Sequence, residues 1–376
     1  MMKIRIDQKQ LAAAARAAHR RLPNNPLQPV LGGLLLETDG DSVTLSGFDY
    51  ETATRATLAA DVLETGHALV SGRLLADVTA AMPAGPVDVV VDERELTVSA
   101  PGTTFTLPTM DRRDYPALPE APAAAGTVDG DVLAAAVVHA AQAAMPEKEA
   151  GGRLEAFRGV QVAADGNHLT VSASDSYRIV RHRIPWAPDG DTDGSLLVPA
   201  AHLAATVKQL SGGPVRISFT NDITVAGLAS DTLTVTSRTV AAPFPNIEGF
   251  FPDQAAAVGW MRGDAAELLE AVQRAALVND KPEQAVTLTF GRDQVTVAGG
   301  VDGSRGASRL DVEATDLDGF TAGYRPGFLS SLLAPITGQV QVWFTTPNKP
   351  VLIQPINESG AAADHYRAAC MPVRLK

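Results

Sequence analysis

Three stretches of this chain alternate apolar and polar side chains around a short turn, and they recur at equal spacing. "GGLLLETDGDSVTLSGFDY" begins at Gly32 and "RGVQVAADGNHLTVSASDSY" at Arg158. Gly33 then stands over Gly159, Gly40 over Gly166, Thr44 over Thr170 and Asp49 over Asp175, each pair 126 residues apart. Another 126 residues on, "DQVTVAGG" brings Thr296 beneath Thr44 and Thr170. A period of two around a turn predicts a half-buried antiparallel hairpin, so one face of a sheet is specified three times.

Between these stretches the apolar period becomes helical. Ala-rich helices are expected in "DQKQLAAAARAAHRRL" from Asp7, "DGDVLAAAVVHAAQAAM" from Asp129 and "RGDAAELLEAVQRAALV" from Arg262, each with an Asp suited to cap its start. A second element also recurs, in "LVSGRLLADVTAAMPAGPVDVVV" from Leu69, "LLVPAAHLAATVKQLSGGPVRISF" from Leu196 and "AGYRPGFLSSLLAPITGQVQVWF" from Ala322. Each reads as a strand end, a short helix, a Pro or Gly stop and an alternating strand. The unit is therefore α+β, two helices on one face of a mostly antiparallel sheet. "PALPEAPAAAGT" and "FFPDQAAAVGW" separate the copies, giving domains of 1–121, 125–250 and 255–376.

Composition narrows the setting. A chain of 376 residues exceeds one ordinary core. It has no apolar run near the roughly 20 residues that span a bilayer, and "MMKIRIDQKQ" lacks a signal-peptide core. Cys370 is the only cysteine, so no internal disulfide forms and a cytoplasmic, reducing setting is expected. "NES" at Asn357 is then an idle glycosylation match. A net charge of -12 argues at first against nucleic acid, but binding depends on where charge sits. The expected helices carry Lys9, Arg16, Arg20, Arg21, Arg73, Lys208 and Arg274 against Asp77, Glu267 and Glu270. If the helices of all three units face one way they would form a moderately basic surface, suited either to loose phosphate contact or simply to solvation.

Catalytic signatures are missing: there is no P-loop, no G-x-S-x-G and no H-E-x-x-H. The seven histidines are scattered with no pair at helical ligand spacing, so neither metal nor cofactor is expected. "GGVDGSRGASR" near Gly299 reads as a hairpin loop rather than a phosphate loop, and "MDRRDYP" at Met110 as a surface ion cluster.

With "PVLGGLLLE", "FPNIEGFFP", "ASDSYRI" and the terminal "MPVRL" added to the threefold repeat, the whole chain resembles the bacterial DNA polymerase III beta subunit, the sliding clamp. The resemblance implies a DNA clamp fold of three tandem domains and a head-to-tail homodimeric ring. Such a ring carries helices inside and sheets outside, encircles double-stranded DNA without reading its sequence, and has no catalytic site. It tethers the polymerase by topology. The partners it implies are the DNA polymerase III alpha subunit, the clamp loader and other proteins bearing a clamp-binding motif.

The resemblance also implies site residues. A partner-peptide pocket would take Phe157, Ser174, Ser176, Tyr177, Arg178 and Ile179 from the second unit, and Pro245, Gly249 and Phe250 from the segment that follows. The third unit would add Phe328, and the tail Met371, Pro372, Val373, Arg374 and Leu375. "CMPVRL" is also expected as a final edge strand completing the third sheet, alongside its pocket role. Dimer contacts would set Phe105 and Leu107 against Leu277 and Val278, and Arg20, Arg21, Arg73 and Lys208 would face DNA. Asn25 stands before Pro26 where the family often has a basic residue.

The pocket departs from the family pattern: Phe157 for Leu, Phe250 for Val or Leu, Gly249 for a polar residue, and "EAGGRLEAFRG" for a shorter entrance. Added rings narrow a cleft, so a divergent second copy that rejects a pocket-directed antibiotic is an alternative. The Ala-rich composition fits a GC-rich bacterium such as an actinomycete. From other classes, an enzyme with its site between two repeats and a ring-shaped scaffold without a replicative role also compete.

Overall fold

The computed structural model describes residues 1–92, 94–190, 193–219, 225–300 and 304–375. Six α-helices are present among the described residues: α1 (Gln8–His19), α2 (Gly72–Ala81), α3 (Gly130–Ala141), α4 (Ala200–Leu210), α5 (Ala265–Ala276) and α6 (Pro326–Leu333). The expected Asp caps are in place on α1 and α5. Asp7 Oδ1 accepts the N–H groups of Lys9 and Gln10 at 3.0 and 3.2 Å, and Asp264 Oδ1 those of Ala266 and Glu267 at 2.9 and 3.0 Å. Each cap satisfies two otherwise orphaned donors and contributes about 1 kcal/mol.

Ala is frequent in these helices because it lets them lie close. α1 buries Leu11, Ala12, Ala14, Ala15 and Ala18 and packs on α2, with the Gln8 amide donating to Thr79 O at 2.7 Å. In the same way α5 buries Ala265, Leu268, Ala271, Val272 and Ala275 and packs on α6.

The repeat holds at the level of register. Thr44 pairs with Thr57, Thr170 with Arg183 and Thr296 with Arg309, all antiparallel and at one offset. The turn that follows is also repeated. Asp49 Oδ1 accepts from Glu51 and Thr52, and Asp175 Oδ1 from Tyr177 and Arg178. Each Asp clamps a non-glycine residue in the left-handed region, Tyr50 at φ 73° and Ser176 at φ 75°. Such a conformation costs about 1 kcal/mol or more, and the paired Asp bonds offset it. In the third copy, strands Gln294–Gly299 and Gly306–Asp311 form the expected hairpin, whose tip at 301–303 lies outside the described residues.

Packing groups the chain into two units rather than following the repeat boundaries. The first comprises Met1–Gly130, Pro188–Gly190 and Lys208–Thr239, and the second Asp131–Ala187, Asp191–Val207 and Val240–Lys376. The cause lies in strand pairing. In the first unit, Leu233–Arg238 of the second repeat pairs with Thr52–Ala59 of the first. In the second unit, Tyr366–Cys370 of the third repeat pairs with Arg178–Pro185 of the second. Each pairing makes one sheet out of two repeats. The second unit's large sheet runs Ser195–Pro199, Gly159–Asp165, His168–Ser174, Arg178–Pro185, Tyr366–Cys370, Val351–Pro355, Gln339–Phe344, Gly259–Asp264 and Glu313–Thr315. A four-stranded sheet accompanies it, with Gly306–Asp311 at one edge.

Candidate functional site

The site lies wholly within the second unit, where the chain's last residues meet the Asp175 turn. Tyr366–Cys370 is no edge strand. It is hydrogen-bonded on both sides, to Arg178–Pro185 and to Val351–Pro355, and it ends at Cys370. Beyond it the chain keeps a single antiparallel bridge, Val373 to Gly323 in the edge strand Thr321–Tyr324 of the four-stranded sheet, so the edge strand expected in "CMPVRL" is reduced to that one pairing. Two backbone bonds pin this segment: Met371 N–H donates to Tyr177 O at 2.8 Å and Val373 N–H to Gly323 O at 2.7 Å. Leu375 lies over Gly323, where an added Cβ would meet Leu375 Cδ2 at 2.6 Å. Glycine at 323 therefore lets the tail close in. Held at three points, the segment still leaves Met371, Arg374 and Leu375 exposed.

Tyr177, whose carbonyl holds Met371, pairs with a second aromatic ring. Tyr177, 53% exposed, and Phe328 have centroids 6.3 Å apart. Arg178 lies behind them with its guanidinium carbon 4.4 Å from the Phe328 centroid. Its Nε donates to Asp175 Oδ2 at 3.0 Å, one terminal nitrogen donates to Ser331 Oγ and the other to Gln142 O. Ser174 Oγ donates to Arg178 O at 2.9 Å and accepts from Ser176 N at 3.2 Å, bracing the turn that presents Tyr177. Of the residues expected in a pocket, the structure brings together Ser174, Ser176, Tyr177, Arg178, Phe328, Met371 and Val373, with Leu375 beside them.

The other expected residues form a flank. Ile179 packs with Ile247, Phe251, Trp343, Leu352 and Ala369. Phe157 is half-buried and meets Phe244 edge-on at 6.5 Å, and Phe244 packs against this cluster and against a second one of Ala156, Leu197 and Val240. Phe244 joins this flank although it is not among the residues expected from the sequence, where "APFPNI" sets an aromatic between prolines. Pro245 is partly buried, Gly249 has open space around it, and Phe250 is 61% exposed while Phe251 turns inward. Pro372 is partly buried within the tail.

Behind Arg178 a histidine pair links α3 to α6. His139 Nε2 donates to Ser331 O at 2.6 Å, so its Nδ1 is the acceptor for His182 Nε2–H at 2.7 Å. Tyr366 packs on both rings and donates to Leu332 O at 2.8 Å. Burial lowers the pKa of both histidines, that of His182 to about 3 with further help from His139 and His365. The pair is neutral at pH 7 and adds no charge beside Arg178. Burial likewise pushes the Cys370 thiol up to about 12, leaving it a packing group.

The expected DNA-facing residues all belong to the first unit. Arg20 closes α1, Arg73 and Lys208 are exposed on α2 and α4, and Arg21 is half-buried with its pKa lowered by desolvation. Arg73 is partly neutralised by Asp77 at 3.8 Å. α3 adds Asp131 to the acidic helix residues read from the sequence. Of the expected dimer contacts, Phe105 (37%) and Leu277 (83%) reach the surface and Val278 is partly buried. Leu107 does not: at 2% exposure it is a core residue of its own sheet, opposite Leu96. Thr103–Met110 pairs with Glu95–Ala100 along most of its length but with His67–Ser71 only at Thr109 and Met110, which leaves an edge open beside Phe105.

Sequence profiles of the DNA polymerase III beta subunit match throughout: its N-terminal domain over residues 2–119, its central domain over 127–246 and its C-terminal domain over 250–371. The chain belongs to the bacterial sliding-clamp family. It is 36% identical to the beta sliding clamp of Streptomyces coelicolor and 32% to the beta sliding clamp homolog GriR of Streptomyces muensis, each over the full length of both chains. In fold this sliding-clamp chain is similar to the Pseudomonas aeruginosa clamp solved with griselimycin bound, at 22% identity, a TM-score of 0.87 and full coverage of both chains. Among the described residues no helix is long and apolar enough to cross a membrane, and no cluster of three or more His, Cys, Asp or Glu is placed to hold a metal.

Proposed function

We propose that this chain closes with a second copy, head to tail, into a ring around double-stranded DNA in the cytoplasm. There it docks the DNA polymerase III alpha subunit, the clamp loader and other clamp-binding peptides in the cleft between Tyr177, Phe328 and the tail. It is a processivity factor with no chemistry of its own. The observation that carries this reading is the tail, an exposed apolar segment pinned by Tyr177 and Gly323 rather than left to fray. A partner held on a closed ring gains effective concentration on DNA without a tight grip on phosphates. The sparse charge of Arg20, Arg21, Arg73 and Lys208, with Arg73 partly neutralised, suits sliding.

The test uses a nicked circular plasmid loaded by a clamp loader. Free in solution the chain should run as a dimer near twice 39.3 kDa; once loaded it should co-elute with the circle and be lost at least tenfold when the plasmid is linearised. Equal retention on circular and linear DNA would overturn the topological tether.

A second reading is favoured by Phe157, Gly249 and Phe250 together with full-length similarity to a protein called a clamp homolog. The chain is then a divergent copy whose cleft rejects an inhibitor that an ordinary clamp accepts. Griselimycin titrated against this chain and against the Pseudomonas aeruginosa clamp should bind here at least tenfold more weakly, and equal affinities would remove this reading.

A further inference from the structure

The arginines around the cleft have different electrostatic fates. Arg158 is paired with Glu147 and Glu155, Arg178 with Asp175, Arg181 with Glu248 and Asp364, and Arg367 with Glu248. Arg325 has no carboxylate within 4 Å among the described residues. Its guanidinium carbon sits 5.2 Å from the ring of Tyr177 and 5.2 Å from that of Phe328. It precedes α6 as the N-cap residue without a side-chain capping bond, and is partly buried.

A guanidinium spread over two aromatic faces keeps its planar edge of N–H donors unspent. In a chain of net charge -12, an arginine with no counter-ion among the described residues is a marked local excess of positive potential, and it occurs beside the exposed apolar tail. Resting on the reading that this cleft docks peptides, we propose that Arg325 is a specificity-determining residue. It selects partner segments that carry a carboxylate next to their apolar anchors. The rings of Tyr177 and Phe328 take the anchor and hold the guanidinium in place, and the partner's Asp or Glu supplies the counter-ion that the described residues do not. Because the cation is already stacked and positioned, little side-chain entropy is lost when the carboxylate arrives.

The experiment is fluorescence polarisation with labelled hexapeptides that carry two aliphatic and one aromatic side chain. One Asp is placed at each remaining position in turn, and every peptide has an Asn twin. On the full chain, one Asp position should gain about tenfold over its Asn twin, and the gain should shrink as salt rises. Arg325→Ala should abolish the gain, and binding of the Asn twin that stays measurable with an unchanged thermal midpoint shows that the cleft itself persists. Arg325→Glu should transfer the preference to a Lys peptide. Tight but equal binding of Asp and Asn twins at every position would overturn the role of Arg325 and leave the docking cleft standing. No binding of any peptide would overturn both. An Asp preference that survives Arg325→Ala would assign selection to another residue and refute the proposal.

Discussion

Deleting the chain after Cys370 is expected to lower affinity for docking peptides at least a hundredfold without unfolding the protein. The deletion removes Met371, Val373 and Leu375, which supply the tail side of the cleft, and the two backbone bonds to Tyr177 and Gly323. Burying one such side chain against a ligand contributes about 1.5–3 kcal/mol, and each 1.4 kcal/mol is about tenfold in affinity. Strand Tyr366–Cys370 stays paired on both sides, so circular dichroism should be unchanged and the thermal midpoint should fall only slightly. A truncated chain that binds peptides normally would mean that the cleft lies elsewhere.

The second large effect is expected at Arg178. Arg178→Ala should cost about 3 kcal/mol of folding stability in urea titration, because it strips the counter-ion from Asp175 where both side chains are about nine-tenths buried. Loss of the bonds to Ser331 and Gln142 also unties α6 and the end of α3 from the turn that presents Tyr177. Arg178→Lys should recover less than half of the loss, since a point charge cannot meet three partners in a plane. The exposed pair Arg73–Asp77 supplies the control: Arg73→Ala should change stability by less than about 0.5 kcal/mol. Similar losses at the two positions would refute the buried role of Arg178.

How the site is assembled explains which parts were legible. Asp175 was marked in the sequence because the repeat sets it under Asp49, 126 residues earlier. In both copies the short side chain captures N–H groups two and three residues on, which is a local event. The partners of Arg178 were not readable, because Gln142 and Ser331 lie 36 and 153 residues away and a polar side chain gives no sign of which distant carbonyl or hydroxyl it will meet. Phe105 and Leu107 look alike in sequence two residues apart on one strand, yet one reaches the surface and the other faces Leu96 in the core. Arg325 drew no notice in the sequence, and only the rings beside it give it a role.

The sequence by itself determined the α+β unit, its threefold recurrence with Asp49 over Asp175, and two of the helix caps, because period and capping act over a few residues. Only the tertiary structure decided that Tyr366–Cys370 is an interior strand shared by two repeats, that the tail after it is pinned at Tyr177 and Gly323, and which arginines find a carboxylate. Those outcomes depend on contacts between residues far apart in the chain, where burial and charge are settled by what the fold brings together.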